Sequence, residues 1–378
     1  MEKMGLYIHI PFCISKCFYC DFNSWDDNWE IVDKYIAYIK KEINMYADKL
    51  KDYIIDTIFF GGGTPSAIDG KYIYNILEHV YQNFNVGREL EVTLEGNPKT
   101  FDQEKLSIYK SSGINRISLG VQSLNDGILK SIGRIHDSKD VLNTYNAIRK
   151  KGFKNVNFDI MFNLPDQKIY DVLETLKKSI EIGVEHISFY SLKIEEGTPF
   201  HNMYLKHQIK LPDEDDERRM YHQGIELLKK NGIKQYEISN FAKDGYLCRH
   251  NLMYWEIKPY LGIGVGAYSN LFNKRWGNKE KIMDYFNDID NNMCPISETE
   301  YIDYQMEISE YIILGLRLNK GINYDSFFRR FNVDIESLFG NKIEKLKKQG
   351  LIVQEGPVLK LTSIGLDFSN IVFGDFLF

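Results

Sequence analysis

Nowhere along the chain does an apolar run approach the length of a membrane span, and the opening MEKMGLYIHIPFC has no apolar signal-peptide core. A spanning helix needs about 20 such residues, so a cytoplasmic protein is the expectation, with peripheral membrane association left open. Positive charge is not in excess either. Lys and Arg number 47 against 53 Asp and Glu, a net charge of −6, which argues against a nucleic-acid partner. Cysteine is scarce, with five in all, yet three of them fall within residues 13–20. An odd cluster cannot pair off as disulfides, and a reducing compartment suits free thiolates.

Those three form Cys13-x3-Cys17-x2-Cys20. The run before them, Leu6 to Ile10, alternates and ends at Pro11, so it reads as a strand delivering a cysteine-bearing loop. A structural zinc site closes with four ligands, and no fourth Cys or nearby His completes one. Thiolates also hold iron–sulfur clusters, usually four at a time. Three thiolates on a four-iron cluster would leave one iron open to a substrate or cofactor. Ordinary buried cysteines are the plainer alternative, and the spacing beside a strand weighs against them.

Further along, Val32, Ile36, Ile39, Ile43 and Tyr46 mark one apolar helix face that packing fully explains. Strands are expected over residues 5–10, 54–60, 90–95, 115–121, 155–161 and 186–192, each followed by helix-like sequence. Gly113, Gly152, Gly183 and Gly232 each close a helical stretch and open an apolar run, as left-handed helix caps do. About six β/α units in series make an α/β fold with parallel strands, closed into a barrel or partial barrel. An open doubly wound sheet is the second choice. Asp213–Glu217 reads as a solvated helix start. A short strand over 234–238 leads into a loop-rich stretch from Asn240 to Asn270. The chain divides into residues 1–297, a barrel with a loop-rich extension, and 298–378, a small winged-helix-like domain. From residue 301 onward ten acidic and nine basic residues balance, so that domain lacks the charge a DNA-binding wing needs.

Barrel enzymes place their sites at the C-terminal ends of strands. The first exit carries the three cysteines. The second is Gly61-Gly62-Gly63-Thr64-Pro65-Ser66, whose small residues let backbone approach a ligand closely. The third offers Glu95, the fourth Gln122 with a side-chain amide, and the fifth Asp159. Arg134 supplies a planar fork for a carboxylate. Singly, each has a plain alternative: Asp159 as a helix cap, Arg134 as a surface ion pair, Gly61–Gly63 as a tight turn. One per successive exit, they outweigh it.

The cysteine spacing resembles the signature of the radical S-adenosylmethionine (SAM) superfamily. The flanking Tyr7-Ile-His-Ile-Pro-Phe-Cys and Tyr19-Cys-Asp-Phe resemble its coproporphyrinogen-dehydrogenase-like group. That resemblance implies a partial (β/α)6 barrel and a four-iron four-sulfur cluster (4Fe-4S) on Cys13, Cys17 and Cys20. It also implies a SAM site that includes Tyr7, Tyr19, Gly62, Gly63, Thr64, Glu95, Gln122, Arg134 and Asp159. Family members usually read Gly-Leu-Pro-Gly-Gln where this chain has Asn163-Leu-Pro-Asp166-Gln, and Asn and Asp tolerate the same turn. Where Gly-Ala-His-Ser is common, the chain has Tyr268 in place of the histidine.

True dehydrogenases of the group carry a further cysteine where this chain has Phe22, and a longer arm before the first strand. His250-Asn251-Leu252-Met253-Tyr254-Trp255 instead resembles the H-N-x-x-Y-W segment of the haem chaperone branch. The implied function is binding haem as cargo and passing it to haem-requiring respiratory proteins, with an electron donor serving the cluster. Coproporphyrinogen dehydrogenation is the alternative, and a plain iron–sulfur electron carrier a third. His250 carries two readings, a haem ligand or a hydrogen-bonded core histidine. Cys248 and Cys294 are weaker candidates for the same role.

Overall fold

Alternation along six parallel strands builds the barrel wall. In the computed structural model, which describes residues 1–378, these are β1 (Glu2–Ile10), β2 (Tyr53–Gly62), β3 (Val86–Gly96), β4 (Arg116–Gln122), β5 (Asn155–Phe162) and β6 (His186–Ser191). They pair in chain order. Successive side chains on a strand face opposite ways. Leu6, Ile8 and Ile10, Ile58 and Phe60, Val92 and Leu94, and Ile117, Leu119 and Val121 form the apolar set, all fully or almost fully buried. They join one core of 56 residues with helix residues such as Ile36, Ile39, Ile73, Leu77, Leu106, Val141, Ile148 and Leu176. The other set is polar: Tyr7 and His9, Glu91, Thr93 and Glu95, Arg116, Ser118 and Gln122, Asn157 and Asp159, Ser188 and Tyr190. One face of each strand therefore pays for folding by burial, and the other is free to carry chemistry.

The helices Val32–Ala47, Gly70–Asn83, Gln103–Ser111, Ser138–Lys150 and Ile169–Ile182 connect these strands, with shorter pieces between. Asp69, Asp102 and Asp137 cap three of them through backbone N–H groups. The four glycines read as helix ends all have positive φ, from 78° to 96°. Asn163 and Asp166 also lie in the left-handed region, at φ 62° and 58°, so the turn after β5 is kept without its glycines.

The stretch from Asn240 to Asn270 is not loop-rich as expected. After β7 (Lys234–Glu237), it holds β8 (Asn240–Ala242), the helix Arg249–Trp255, β9 (Tyr260–Ile263) and β10 (Tyr268–Leu271). β9 lies parallel to β1, with Gly5–Ile8 paired to Tyr260–Ile263. With β11 (Lys274–Asn278) and β12 (Ile296–Tyr301) the sheet reaches twelve strands, in the order β12-β11-β10-β9-β1-β2-β3-β4-β5-β6-β8-β7. β6 pairs with antiparallel β8 and not with another parallel strand, so the barrel is partial.

β12 runs through residue 298 and ends at Tyr301, so the sheet continues past the expected boundary. Beyond it, helices Tyr304–Arg317, Tyr324–Phe331 and Ile335–Lys348 and a small sheet of β13 (Ile322–Asn323), β14 (Ile352–Glu355) and β15 (Val358–Leu361) share a separate core of 15 residues. The hairpin turns at Gly356-Pro357, as a winged helix requires. This unit is tied back to the barrel: Asn319 donates its backbone N–H to Tyr236 O at 2.9 Å, and Arg317 lies 3.7 Å from the buried carboxylate of Glu237.

Candidate functional site

The loop after β1 is closed by its own backbone. Trp25 N–H donates to Pro11 O at 2.7 Å and Cys13 N–H to Trp25 O at 2.8 Å, which ties residues 11–13 to residue 25 and leaves 14–24 as a compact lobe. Cys13 closes that lobe and Cys17 and Cys20 lie within it, all three as free thiols, the first buried and the others half-buried. Burial raises the thiol pKa of Cys13 and of Cys20. Thiolates there need a cation, and Lys16 directs its ammonium mainly to Phe22 O and Ser24 O, at 3.0 and 3.2 Å. Iron would supply that charge. Three free thiols in one lobe are the donor type that holds iron–sulfur clusters.

The exit of β2 presses against this loop. Gly63 N–H donates to Ile10 O at 2.9 Å and Thr64 N–H to Phe12 O at 2.8 Å. A Cβ on Gly63 would stand 2.9 Å from Phe12 O and 3.0 Å from Cys13 Sγ, so this glycine is needed for the cysteine loop itself. Thr64 Oγ1 lies 3.5 Å from Cys13 Sγ. It accepts from Asn97 Nδ2 at 2.9 Å, and Asn97 Oδ1 accepts from Arg134 Nη1 at 2.8 Å. The Arg134 guanidinium stands 5.9 Å from the Tyr19 ring centroid, and its buried Nε has no partner. A chain of polar contacts thus links the second, third and fourth exits to the cysteine lobe.

Cys13, Cys17, Tyr19, Cys20, Gly62, Gly63, Thr64, Glu95, Gln122, Arg134 and Asp159 line one cavity of about 410 Å³. Tyr7 lines the adjoining cavity, alongside Gly62 and Glu95, which are common to both. Its hydroxyl bonds His9 Nδ1 at 3.1 Å, while His9 Nε2 donates to Asn23 O at 2.8 Å. A carbonyl only accepts, so His9 carries its proton on Nε2, and Tyr7 must be the donor to Nδ1. Burial pushes the His9 pKa down to about 4 and keeps the ring neutral. Gln122 has φ 65° at a break in the β4–β5 register, and Tyr190 donates to its Oε1 at 3.1 Å. Such a bulge re-aims a side chain.

Two carboxylates share the cavity. Burial, with the charge of Asp159 second, pushes Glu95 up to about 8. Burial also raises Asp159, against hydrogen bonds from Asn157 at 2.7 Å and Ser118 at 3.2 Å. Both would be relieved by a bound cation. Asn97 and Tyr190 belong to this site but were not among the residues read from sequence. The signal for Tyr190 was the sixth strand exit. Asn97 stood in plain view in Glu95-Gly-Asn-Pro.

His250 lies elsewhere. It is 1% exposed, lines neither cavity, and has both ring nitrogens bonded, Nδ1 with Thr57 Oγ1 at 2.7 Å and Nε2 with Tyr254 OH at 2.8 Å. Glu91 accepts its backbone N–H at 3.0 Å, and Phe59 stacks on the ring at 5.1 Å. No lone pair is left for iron. The core reading holds in this structure and the ligand reading does not. His250→Ala should therefore destabilise the fold by about 1–3 kcal/mol, the cost of stranding buried partners. Thermal unfolding beside a haem absorption spectrum checks this, and a changed iron coordination in a stable variant would contradict it. Cys248 is fully buried and its thiol pushed up to about 12, and Cys294 lines neither cavity.

The sequence and the fold also match those of known proteins. Residues 7–179 match the family model of the radical SAM superfamily, and residues 304–368 that of the HemN C-terminal domain. A Bacillus subtilis protein named heme chaperone HemW is 35% identical over 98% of this chain and 98% of its own length. The Escherichia coli protein of that name is 38% identical over 72% of this chain and 71% of its own. A bovine mitochondrial protein named radical S-adenosyl methionine domain-containing protein 1 is 30% identical over 97% and 85%. The structure of Escherichia coli coproporphyrinogen III oxidase, HemN, superposes with a TM-score of 0.87 over 99% of this chain and 90% of that one. At 21% identity that likeness speaks for the fold.

Proposed function

The chain belongs to the radical SAM superfamily, in the family of the heme chaperone HemW proteins, and from that premise we propose that it takes up haem and delivers it to haem-requiring proteins. The observation that carries the cofactor side is the meeting of three free thiols with residues from the successive strand exits in one cavity. Cys13, Cys17 and Cys20 are the residues that would hold the cluster. Glu95, Asp159, Gln122, Arg134, Tyr19, Thr64, Gly62 and Gly63 would surround SAM, with Tyr7 at the rim. When bound, the cluster supplies an open iron and an electron to SAM. The chain's own part is to neutralise, orient and shield. Glu95 and Asp159 offer negative charge to a cationic ligand, Arg134 a guanidinium to a carboxylate, and Gln122, held by Tyr190, an amide.

The unit that ends with β12 at Tyr301 would act as the cofactor-bearing barrel, and the helices and small sheet from Tyr304 onward as a packed accessory domain. The acceptors proposed are respiratory haem proteins, with a separate electron donor reducing the cluster. No helix is long and apolar enough to cross a membrane, and a peripheral approach to membrane-bound acceptors is part of the proposal. The main rival, coproporphyrinogen dehydrogenation, is disfavoured by Phe22, which stands where the dehydrogenases carry a further cysteine, and by the His250–Trp255 segment. An anaerobic haem titration run beside a coproporphyrinogen turnover assay tests the proposal. Saturable haem binding without turnover is expected, and turnover without haem binding would reverse the assignment.

A further inference from the structure

The second cavity is larger than the first, about 620 Å³, within the range of roughly 300–1,000 Å³ common for ligand sites. Phe22, Gly62 and Glu95 line both, so they form the partition between them. We propose that this second cavity is the seat of a porphyrin, and that Arg275 receives one of its carboxylates. The assignment rests on the haem-binding reading above and deepens it.

The wall is mostly apolar. Tyr254 and Trp255 come from the helix Arg249–Trp255, Tyr260 from β9, Tyr268 from β10, and Ile313 and Leu314 from the first helix of the C-terminal unit. Tyr254 meets Tyr260 edge to face at 4.6 Å, and its hydroxyl is pinned by His250 Nε2 at 2.8 Å. His250 is thus a positioning residue that holds one aromatic wall in place without touching the cavity. An aromatic macrocycle matches such a surface, since ring pairs favour offset and edge-on contact.

Two polar groups in its lining bear on a ligand. One is the Tyr7–His9–Glu95 group at the partition. The other is Arg275, held by Glu310 and by Glu300, the latter at 3.2 Å from Nη1. Glu300 sits on β12 with its side chain 51% exposed, and an ion pair so open to water contributes little. Glu310, 21% exposed, is the partner that orients the guanidinium. A ligand carboxylate can displace the water-exposed Glu300, leave it to solvent at little cost, and take its place at Nη1 of the planar fork. The C-terminal helix roofs the cavity through Glu310, Ile313 and Leu314, so both units of the chain build the seat.

The test uses cluster-loaded full-length protein, titrated anaerobically with haem and with haem whose two propionates are methyl esters. Leu314→Trp fills the seat and should weaken both ligands by about tenfold or more, with iron content and SAM affinity unchanged. Arg275→Gln should weaken haem by about tenfold and leave the diester at its wild-type affinity. Wild-type haem affinity in both variants would place the seat elsewhere while leaving the haem-binding reading intact. An equal loss of haem and diester in Arg275→Gln would overturn the carboxylate role. Failure of the wild type to bind haem at all would overturn the seat together with the reading beneath it.

Discussion

Replacing Cys13, Cys17 and Cys20 together by alanine is expected to abolish cluster assembly, whereas anaerobically reconstituted wild type should hold one four-iron cluster. The three thiols share a lobe closed by the Pro11–Trp25 and Cys13–Trp25 backbone bonds, and they face one cavity. Cys248 and Cys294 offer no substitute. The former is sealed in the core with its sulfur 3.9 Å from the Glu91 carboxylate, and the latter lies beside Lys49, away from the cavity. Iron and sulfide analysis reads the outcome. Full cluster content in the triple variant would remove the cysteine assignment, and loss on changing Cys248 or Cys294 would move the ligands there.

The second large effect is expected at the β2 exit, where structure changes what a substitution means. From sequence, Gly63→Val would simply fill the space of the ligand. In the structure its Cβ would crowd Phe12 O and Cys13 Sγ, so that variant should lose the cluster and SAM together. Glu95→Ala is the cleaner probe of SAM alone. It should keep its iron and weaken SAM by about 1–3 kcal/mol, the scale of a charge-assisted hydrogen bond. Since Glu95 is pushed up to about 8, the free protein carries it protonated below that pH. A cationic ligand favours the carboxylate, so wild-type affinity should rise with pH toward about 8 and level off above it. Glu95→Gln should lack that component. The sign for stability is opposite: with its folded pKa raised, Glu95 disfavours the folded state increasingly as pH climbs from the ordinary carboxylate range, and a bound cation offsets this. Equal SAM affinity and pH profiles in wild type and both Glu95 variants would remove Glu95 from the site.

The barrel was legible because its strands alternate and its helices end in glycine. Leu6-x-Ile8-x-Ile10 and Ile117-x-Leu119-x-Val121 announce both a buried face and an open one. The second, polar face then places one chemical group at each exit, which is why the cysteines, Glu95, Gln122 and Asp159 could be read together. β8, β9 and β10 could not be read in this way. With three or four residues each, they carry too little periodicity, and β9 is defined by pairing with β1 some 250 residues away in the chain. His250 shows the same limit. Its partners Thr57 and Glu91 lie on β2 and β3, and only their arrival around the ring decides between a ligand and a core residue. Gln122 in the left-handed region and Asn97 between Thr64 and Arg134 are likewise products of register and packing.

The central claim, that the chain carries haem and does not transform a porphyrinogen, is tested most directly by transfer. Cluster-loaded protein charged with haem is mixed anaerobically with the haem-free form of a respiratory haem protein, and the absorption spectrum of the acceptor is followed. The account predicts that haem moves to the acceptor and that the same preparation leaves coproporphyrinogen unchanged in the presence of SAM and reductant. An acceptor that stays empty while coproporphyrinogen is decarboxylated would contradict it.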